Sequence, residues 1–246
     1  MEPLLVYCSL PAGRYFLLLN PDTVILKGSL EAMSGFLDTH PDAGAVAPRY
    51  LNPDRSFQKF YCRFPTFLLF LIKYTFFFHL VPAKLRDKVF KGYNYEKEGD
   101  EFAGVKIIEQ PASSCLLLKK AIFSGPLFDD AFPLFFNDVD LCRRIYGLFY
   151  NAYFLPEAEI IHSQGQSVKK FSEDYEPEYV VSWLRYIRKY DGWLVFILAE
   201  AVLSLHYILF SISNVFGVFL FKKSRKELMK NFVRRSRIIL CRSQLK

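Results

Sequence analysis

The stretch Gly13-Arg14-Tyr15-Phe16-Leu17-Leu18-Leu19-Asn20-Pro21-Asp22 decides the architecture. Tyr15–Leu19 is a continuous apolar run, short and bounded by Gly13 and by Asn20-Pro21-Asp22. A run of this kind reads as a fully buried strand in a parallel sheet. Gly28–His40 then has Leu30, Met33, Phe36 and Leu37 at helical spacing and stops at Pro41. Gly44-Ala45-Val46-Ala47-Pro48 reads as a second buried strand. Strand, helix and strand within about 35 residues form a βαβ unit, so an α/β sheet is the expected frame. Ligands of such sheets bind beyond the carboxyl ends of strands, where Asn20-Pro21-Asp22 lies.

A second stretch, Phe132-Pro133-Leu134-Phe135-Phe136-Asn137-Asp138-Val139-Asp140-Leu141-Cys142-Arg143-Arg144, is where chemistry is expected. An aromatic run ends at two carboxylates, and Val139, Leu141 or Cys142, and Ile145 follow at helical spacing. Asp138 is thereby placed at or near a helix N-terminus, where free N–H groups and the macrodipole favour negative charge. A carboxylate between an apolar wall and a helix start suits a general base. An Asp N-cap with a solvated second Asp is the plain alternative.

Elsewhere, Asn52-Pro53-Asp54-Arg55-Ser56 reads as a turn, and Thr66–Val81 as an interfacial or core helix too short for a membrane span. Lys84–Gly104 reads as a polar loop. Val105–Glu109, Ser114–Leu118, Ala152–Leu155 and Glu159–Ile161 read as strands, the last leading to His162. Trp193–Phe221 is the longest apolar tract and exceeds the roughly 20 residues a bilayer span needs.

The 246 residues are 52% hydrophobic and carry a net charge of +7. That charge belongs to one end, because Lys222–Lys246 holds ten Lys or Arg against Glu227 alone. A basic segment directly after an apolar one is a positive-inside signal that attracts anionic headgroups, so a membrane surface is expected to engage 193–246. Nucleic acid is not expected as a partner, since the tail has one aromatic residue, Phe232, and no recognition module. Five scattered cysteines argue against a disulfide framework or a zinc site, and Met1–Leu10 has no secretory pattern.

Taken in order, the polar clusters resemble the family 2 glycosyltransferases of the GT-A fold, in their bacterial rhamnosyltransferase-like and galactofuranosyltransferase-like branch. The resemblance rests on Gly13–Thr23, His40–Pro48, Leu51–Asp54, Gln110–Leu118, Asn137–Arg144 and Leu155–Ala158 through His162–Ser167. It implies a GT-A-like mixed, mostly parallel sheet in residues 1–190, followed by membrane-associated helices and a basic tail in 191–246. It also implies a metal-dependent, inverting transferase, moving a sugar from a nucleotide-sugar donor to a lipid-linked or cell-envelope glycan. Asp22 then binds Mg²⁺ or Mn²⁺ at the donor diphosphate beside Asn20, and His162 completes the metal site. Asp138 is the catalytic base, and Ser113, Ser114, Cys115, Asp140 and Arg144 line the acceptor. A bacterial cytoplasmic membrane is implied, with the catalytic domain and tail on its cytoplasmic side.

Two departures stand out. Asn137 replaces the glutamate that usually precedes the base, and Met1–Ala12 lacks the TYN-like and DNxS-like strand ends that hold the nucleotide. An N-terminally truncated sheet is therefore expected, with an unpaired edge at Tyr15 and impaired transfer by this chain alone. An inactive fragment acting as a membrane-associated binding protein is the alternative function. A metal-dependent phosphoester hydrolase using Asp22, Asp138, Asp140 and His162 is a weaker one.

Overall fold

A computed structural model describes residues 6–8, 13–59, 61–95, 103–163 and 176–221. They fall into two compact units, Met1–Phe64 with Lys91–Ser167, and Pro65–Phe90 with Val168–Lys246.

The first unit is a mixed α/β sheet flanked by helices, consistent with a GT-A-like fold. Its strands are β1 (Val6–Cys8), β2 (Tyr15–Leu19), β3 (Thr23–Ile25), β4 (Ala43–Leu51), β6 (Lys106–Ile108), β8 (Cys115–Lys119) and β9 (Asn151–His162). The order is β1-β2-β8-β4-β9-β3, with β6 also pairing β9. A small second sheet joins β5 (Tyr61–Cys62) to β7 (Gln110–Pro111).

Helix α1 (Ser29–Thr39) buries Met33, Phe36 and Leu37, as the apolar spacing predicts, and with β3 forms the connection from β2 to β4. The two strands are not neighbours, however. β8 lies between them, antiparallel to both, so β2 and β4 run in one direction one strand apart. β9 runs parallel to β4. The carboxyl ends of β2, β4 and β9 therefore share one edge of the sheet. Parallel pairing is confined to β4 and β9 among the described strands, so the sheet is more antiparallel than the apolar runs suggest.

β9 is one strand of twelve residues where two short ones are expected. The register with β4 jumps from Pro48↔Leu155 to Arg49↔Glu159, so the extra residues bulge without ending the strand. Ser29 holds this bend, its Oγ donating to the Glu159 carbonyl (2.8 Å) and accepting from the Glu159 N–H (2.9 Å). The edge of β2 is also not bare. Val6–Cys8 pairs with Leu17–Leu19, which corrects the expected unpaired edge.

Helix α5 (Asn137–Gly147) packs on β9 through its buried face, including Val139, Leu141 and Ile145. A close approach to β4 requires Gly44. A Cβ there would meet Ile145 Cγ2 and Tyr150 Cβ at 2.8 Å and Ile122 Cδ1 at 2.9 Å. Gly44→Ala should destabilise the protein by about 2–3 kcal/mol, because Tyr150 Cβ and the branched Ile145 methyl sit close to the backbone and cannot swing away, although Ile122 Cδ1 can. Urea denaturation measures it.

The second unit is helical. Its α2 (Phe67–Tyr74) is capped by Thr66, whose Oγ1 accepts from the Leu69 N–H at 3.2 Å. The chain breaks at Thr75, whose hydroxyl returns to the Leu71 carbonyl (2.6 Å), and α3 (Phe77–Leu80) follows. The single helix expected over Thr66–Val81 is thus two. The polar segment read as a loop contains helix α4 (Ala83–Tyr93). α6 (Glu176–Tyr190) and α7 (Trp193–Phe221) meet at the turn Asp191–Gly192, where Gly192 has φ 92°. Trp183 of α6 is fully buried against Phe70, Tyr74 and Tyr179. α6 and α2 therefore group with α7 in this unit. Within α7, Trp193–Ser213 is long and apolar enough to cross a membrane, with mean hydropathy 2.0.

Candidate active site

The polar clusters meet at the shared carboxyl edge, and the turn before β8 joins them. Asn20 follows β2, and its backbone N–H donates to the Ser114 carbonyl at 2.9 Å. Its side-chain amide donates to Ser114 Oγ at 3.1 Å, and Thr23 Oγ1 reaches the same carbonyl at 3.2 Å. On the other side, the Ser113 N–H faces the Asp138 carboxylate and favours its charged form. One short turn, Ser113–Ser114, thus touches both the Asn20-Pro21-Asp22 bend and the start of α5.

Asp138 occupies the first turn of α5. Phe136, just before the helix, is held at φ 67°, a left-handed conformation that costs a phenylalanine of order 1 kcal/mol. Its ring is buried, which offsets that cost, and the bend turns the chain so that Asp138 faces the serine turn. Asp138 Oδ1 also accepts from the Val139 N–H at 2.8 Å. Burial raises the Asp138 pKa, opposed by N–H groups of Val139, Asp138 itself and Ser113. The side chain keeps partial solvent access, as a group that exchanges protons with a substrate requires.

Asp22 and His162 are brought together by strand register. β3 pairs Thr23 with His162, so Asp22 stands beside the end of β9 and its carbonyl accepts from the Ser163 N–H (3.0 Å). His162 Nε2 lies 3.5 Å from Asp22 Oδ1. His162 Nδ1 lies 2.9 Å from Gln58 Oε1, whose amide nitrogen donates to Asn52 Oδ1 at 2.6 Å. With Gln58 so oriented, Nδ1 carries the proton. Burial lowers the His162 pKa, with Asp22 opposing it, so the neutral ring is favoured. The Nε2 lone pair then faces a carboxylate oxygen, an arrangement that a shared cation relieves. Among the described residues no group of three or more His, Cys, Asp or Glu surrounds a common point. Asp22 and His162 are thus the two described side chains that could hold a divalent cation at this place.

Tyr50, near the end of β4, was not singled out by sequence. Its buried hydroxyl lies 2.9 Å from the carbonyls of Ala112 and Cys115 and accepts from the Cys115 N–H at 2.9 Å. It fixes the serine turn from beneath. The nearest signal is its place before Leu51-Asn52-Pro53-Asp54, a bend that also delivers Gln58 to His162.

Three of the expected acceptor contacts lie elsewhere. Cys115 is fully buried, its thiol pushed up to about 12 by desolvation. Asp140 is fully buried and accepts from Arg144 Nε at 2.9 Å. Arg144 also donates to the carbonyls of Pro126 and Leu127. At i, i+4 on the inward side of α5, the pair fastens the 126–127 segment instead of presenting a free acid. Arg144→Met should cost about 3 kcal/mol in chemical denaturation by stranding a buried charge, with Arg144→Lys recovering part of it.

No protein-family model matches the sequence. The chain is 27% identical over 154 residues to the N-acetylglucosaminyl-diphospho-decaprenol L-rhamnosyltransferase of Mycobacterium tuberculosis, in strains CDC 1551 / Oshkosh and ATCC 25618 / H37Rv. The relative is a glycosyltransferase. The match covers 60% of this chain and 46% of the relative, so it spans about half the relative's length.

Proposed function

We propose that the chain is the catalytic part of a metal-dependent, inverting glycosyltransferase. It moves L-rhamnose or a related sugar from a nucleoside diphosphate donor to a lipid-linked glycan of the bacterial cell envelope, at the cytoplasmic face of the membrane. The observation that carries this reading is the serine turn, which is hydrogen-bonded to the Asn20–Asp22 bend and turns the Ser113 N–H toward Asp138. Similarity to a rhamnosyltransferase supports the substrate class.

Asp138 accepts the proton of the acceptor hydroxyl as that oxygen attacks the anomeric carbon. The bond from that carbon to the diphosphate oxygen breaks on the opposite face, and the nucleoside diphosphate leaves with the electron pair. A carboxylate with raised pKa suits this work, because its proton affinity approaches that of the alkoxide more closely than an ordinary aspartate does. Asn20 binds the donor, its side-chain amide held by the Ser114 hydroxyl. Asp22 and His162 hold Mg²⁺ or Mn²⁺, which when bound neutralises the charge developing on the leaving diphosphate.

The test supplies a nucleoside diphosphate rhamnose and a polyprenyl-diphosphate N-acetylglucosamine with Mn²⁺, and follows the disaccharide lipid by chromatography. Transfer that requires both substrates and the metal supports the reading. Donor binding without transfer would leave a binding protein, and release of free phosphate would point to a hydrolase.

A further inference from the structure

Helix α7 is apolar enough to cross a bilayer, yet its packing within the second unit argues for another placement. One face, with Phe196, Ala199 and Leu203 buried, lies against protein. α6 returns antiparallel along it. Near the turn, Arg188 stacks over Trp193 (5.3 Å) and Phe196 (5.7 Å). At the far end, Tyr74 of α2 packs on Tyr179 at the start of α6 and lies within electrostatic reach of Tyr207. The stretch of α7 from Trp193 to about Tyr207 is thus backed by α6 and α2.

That backing is polar enough to resist immersion. α6 carries the Glu178–Arg185 ion pair (2.7 Å) and the exposed Arg188 and Lys189. α2 brings Lys73 within 5.1–5.5 Å of the Tyr74, Tyr179 and Trp183 rings. A span over Trp193–Ser213 would carry these charges into hydrocarbon. The helix beyond them, Ile208–Phe221, is roughly 21 Å long at 1.5 Å per residue, short of the ~30 Å a bilayer core demands.

The opposite face is exposed and centred on an aliphatic stripe that includes Leu194, Leu198, Leu205, Ile208, Leu209 and Ile212. Glu200, the one charged residue of the helix, falls on the side of Phe196 and Leu203 by helical spacing, away from that stripe. Exposed Trp193, with Arg188 and Lys189 beside it, provides the aromatic and basic residues that mark a headgroup level. The sequence after the helix, Lys222–Lys246, holds ten basic residues against one acid. A partner protein would call for a polar rim around the stripe. Here both flanks are cationic instead, which complements an anionic lipid surface.

We infer that α7 lies in the plane of an anionic bilayer surface, its aliphatic stripe among the acyl chains and α6 at its back, and does not cross the membrane. This stands on the second unit alone and is independent of the sugar-transfer reading.

The test expresses the full chain in a bacterium with Cys8→Ser and Cys62→Ser, leaving Cys115 and Cys142 buried. A membrane-impermeant maleimide is applied to inside-out vesicles and to spheroplasts. Cys241 reports the segment after α7. Asp191→Cys, made together with Cys241→Ser, reports the turn before it. In-plane docking predicts membrane recovery and labelling of both positions from the same face. Labelling from opposite faces overturns it in favour of a span. Recovery as a soluble monomer, or as a soluble dimer covering the stripe, overturns it as well. As a second measurement, Leu205→Glu with Leu209→Glu should reduce co-flotation of purified protein with phosphatidylglycerol–phosphatidylethanolamine vesicles by roughly tenfold or more, with circular dichroism unchanged. Undiminished flotation would overturn the assignment of the stripe.

Discussion

Asp138→Asn should lower the turnover number for sugar transfer by about a thousandfold, within the range for loss of a general base. The amide fills nearly the same space and its oxygen can still accept from the Val139 N–H, so the helix start remains in place. Donor affinity should therefore stay within about threefold, measured by calorimetry with Mn²⁺, and the loss should fall on kcat. A variant losing donor binding in parallel would mean that Asp138 is structural. The pH profile offers a second check. Desolvation raises the carboxyl pKa, so the wild-type rate is full above that value and falls as pH drops through it. This acidic limb should lie at higher pH than a solvated aspartate would give, and it should vanish in the residual activity of the asparagine variant.

Asp22→Ala should remove one of the two described side chains that face the proposed metal position, and a loss of roughly 10²–10³ in turnover is expected. The sharper readout is the ion. Mn²⁺ binding followed by electron paramagnetic resonance should weaken by at least about tenfold in Asp22→Ala and in His162→Ala, with or without donor. The two substitutions should be strongly non-additive, because each leaves a site that one remaining side chain cannot hold. Full Mn²⁺ affinity in either variant would remove Asp22 and His162 from the metal site.

Local pattern carried much of the fold. Tyr15–Leu19, the Met33–Leu37 face and the Val46 strand are short-range signals, and each element formed where its apolar spacing required. What spacing could not express is which strands become neighbours. β8 enters between β2 and β4 from about 70 residues downstream, and only long-range pairing decides that. Thr23–Ile25 went unread because three residues give no period, although their pairing with β9 is what delivers Asp22 to His162. α4 went unread because of its composition: Leu85, Val89, Phe90 and Tyr93 share one face, but they are interspersed with five charged residues and none is buried.

At the site, the residues with charge were visible and those that orient them were not. Asp22, Asp138 and His162 stand out by type, whereas Tyr50 and Gln58 look like ordinary strand and loop residues until the chain folds. Asp140 and Arg144 failed for the opposite reason. Their charges were plain, but four residues of helix point Asp140 into the core, where it must be paired.

The Ser113–Ser114 turn serves two masters. Its backbone faces Asp138, its hydroxyl and carbonyl reach the Asn20–Asp22 bend, and Tyr50 clamps it from below. Under the proposed function, a change of sugar or of acceptor during divergence would have to pass through the same few atoms, so neither specificity can drift without disturbing the other. Enzymes sharing this arrangement should therefore change partners in paired steps, with the turn conserved and novelty confined to residues around it.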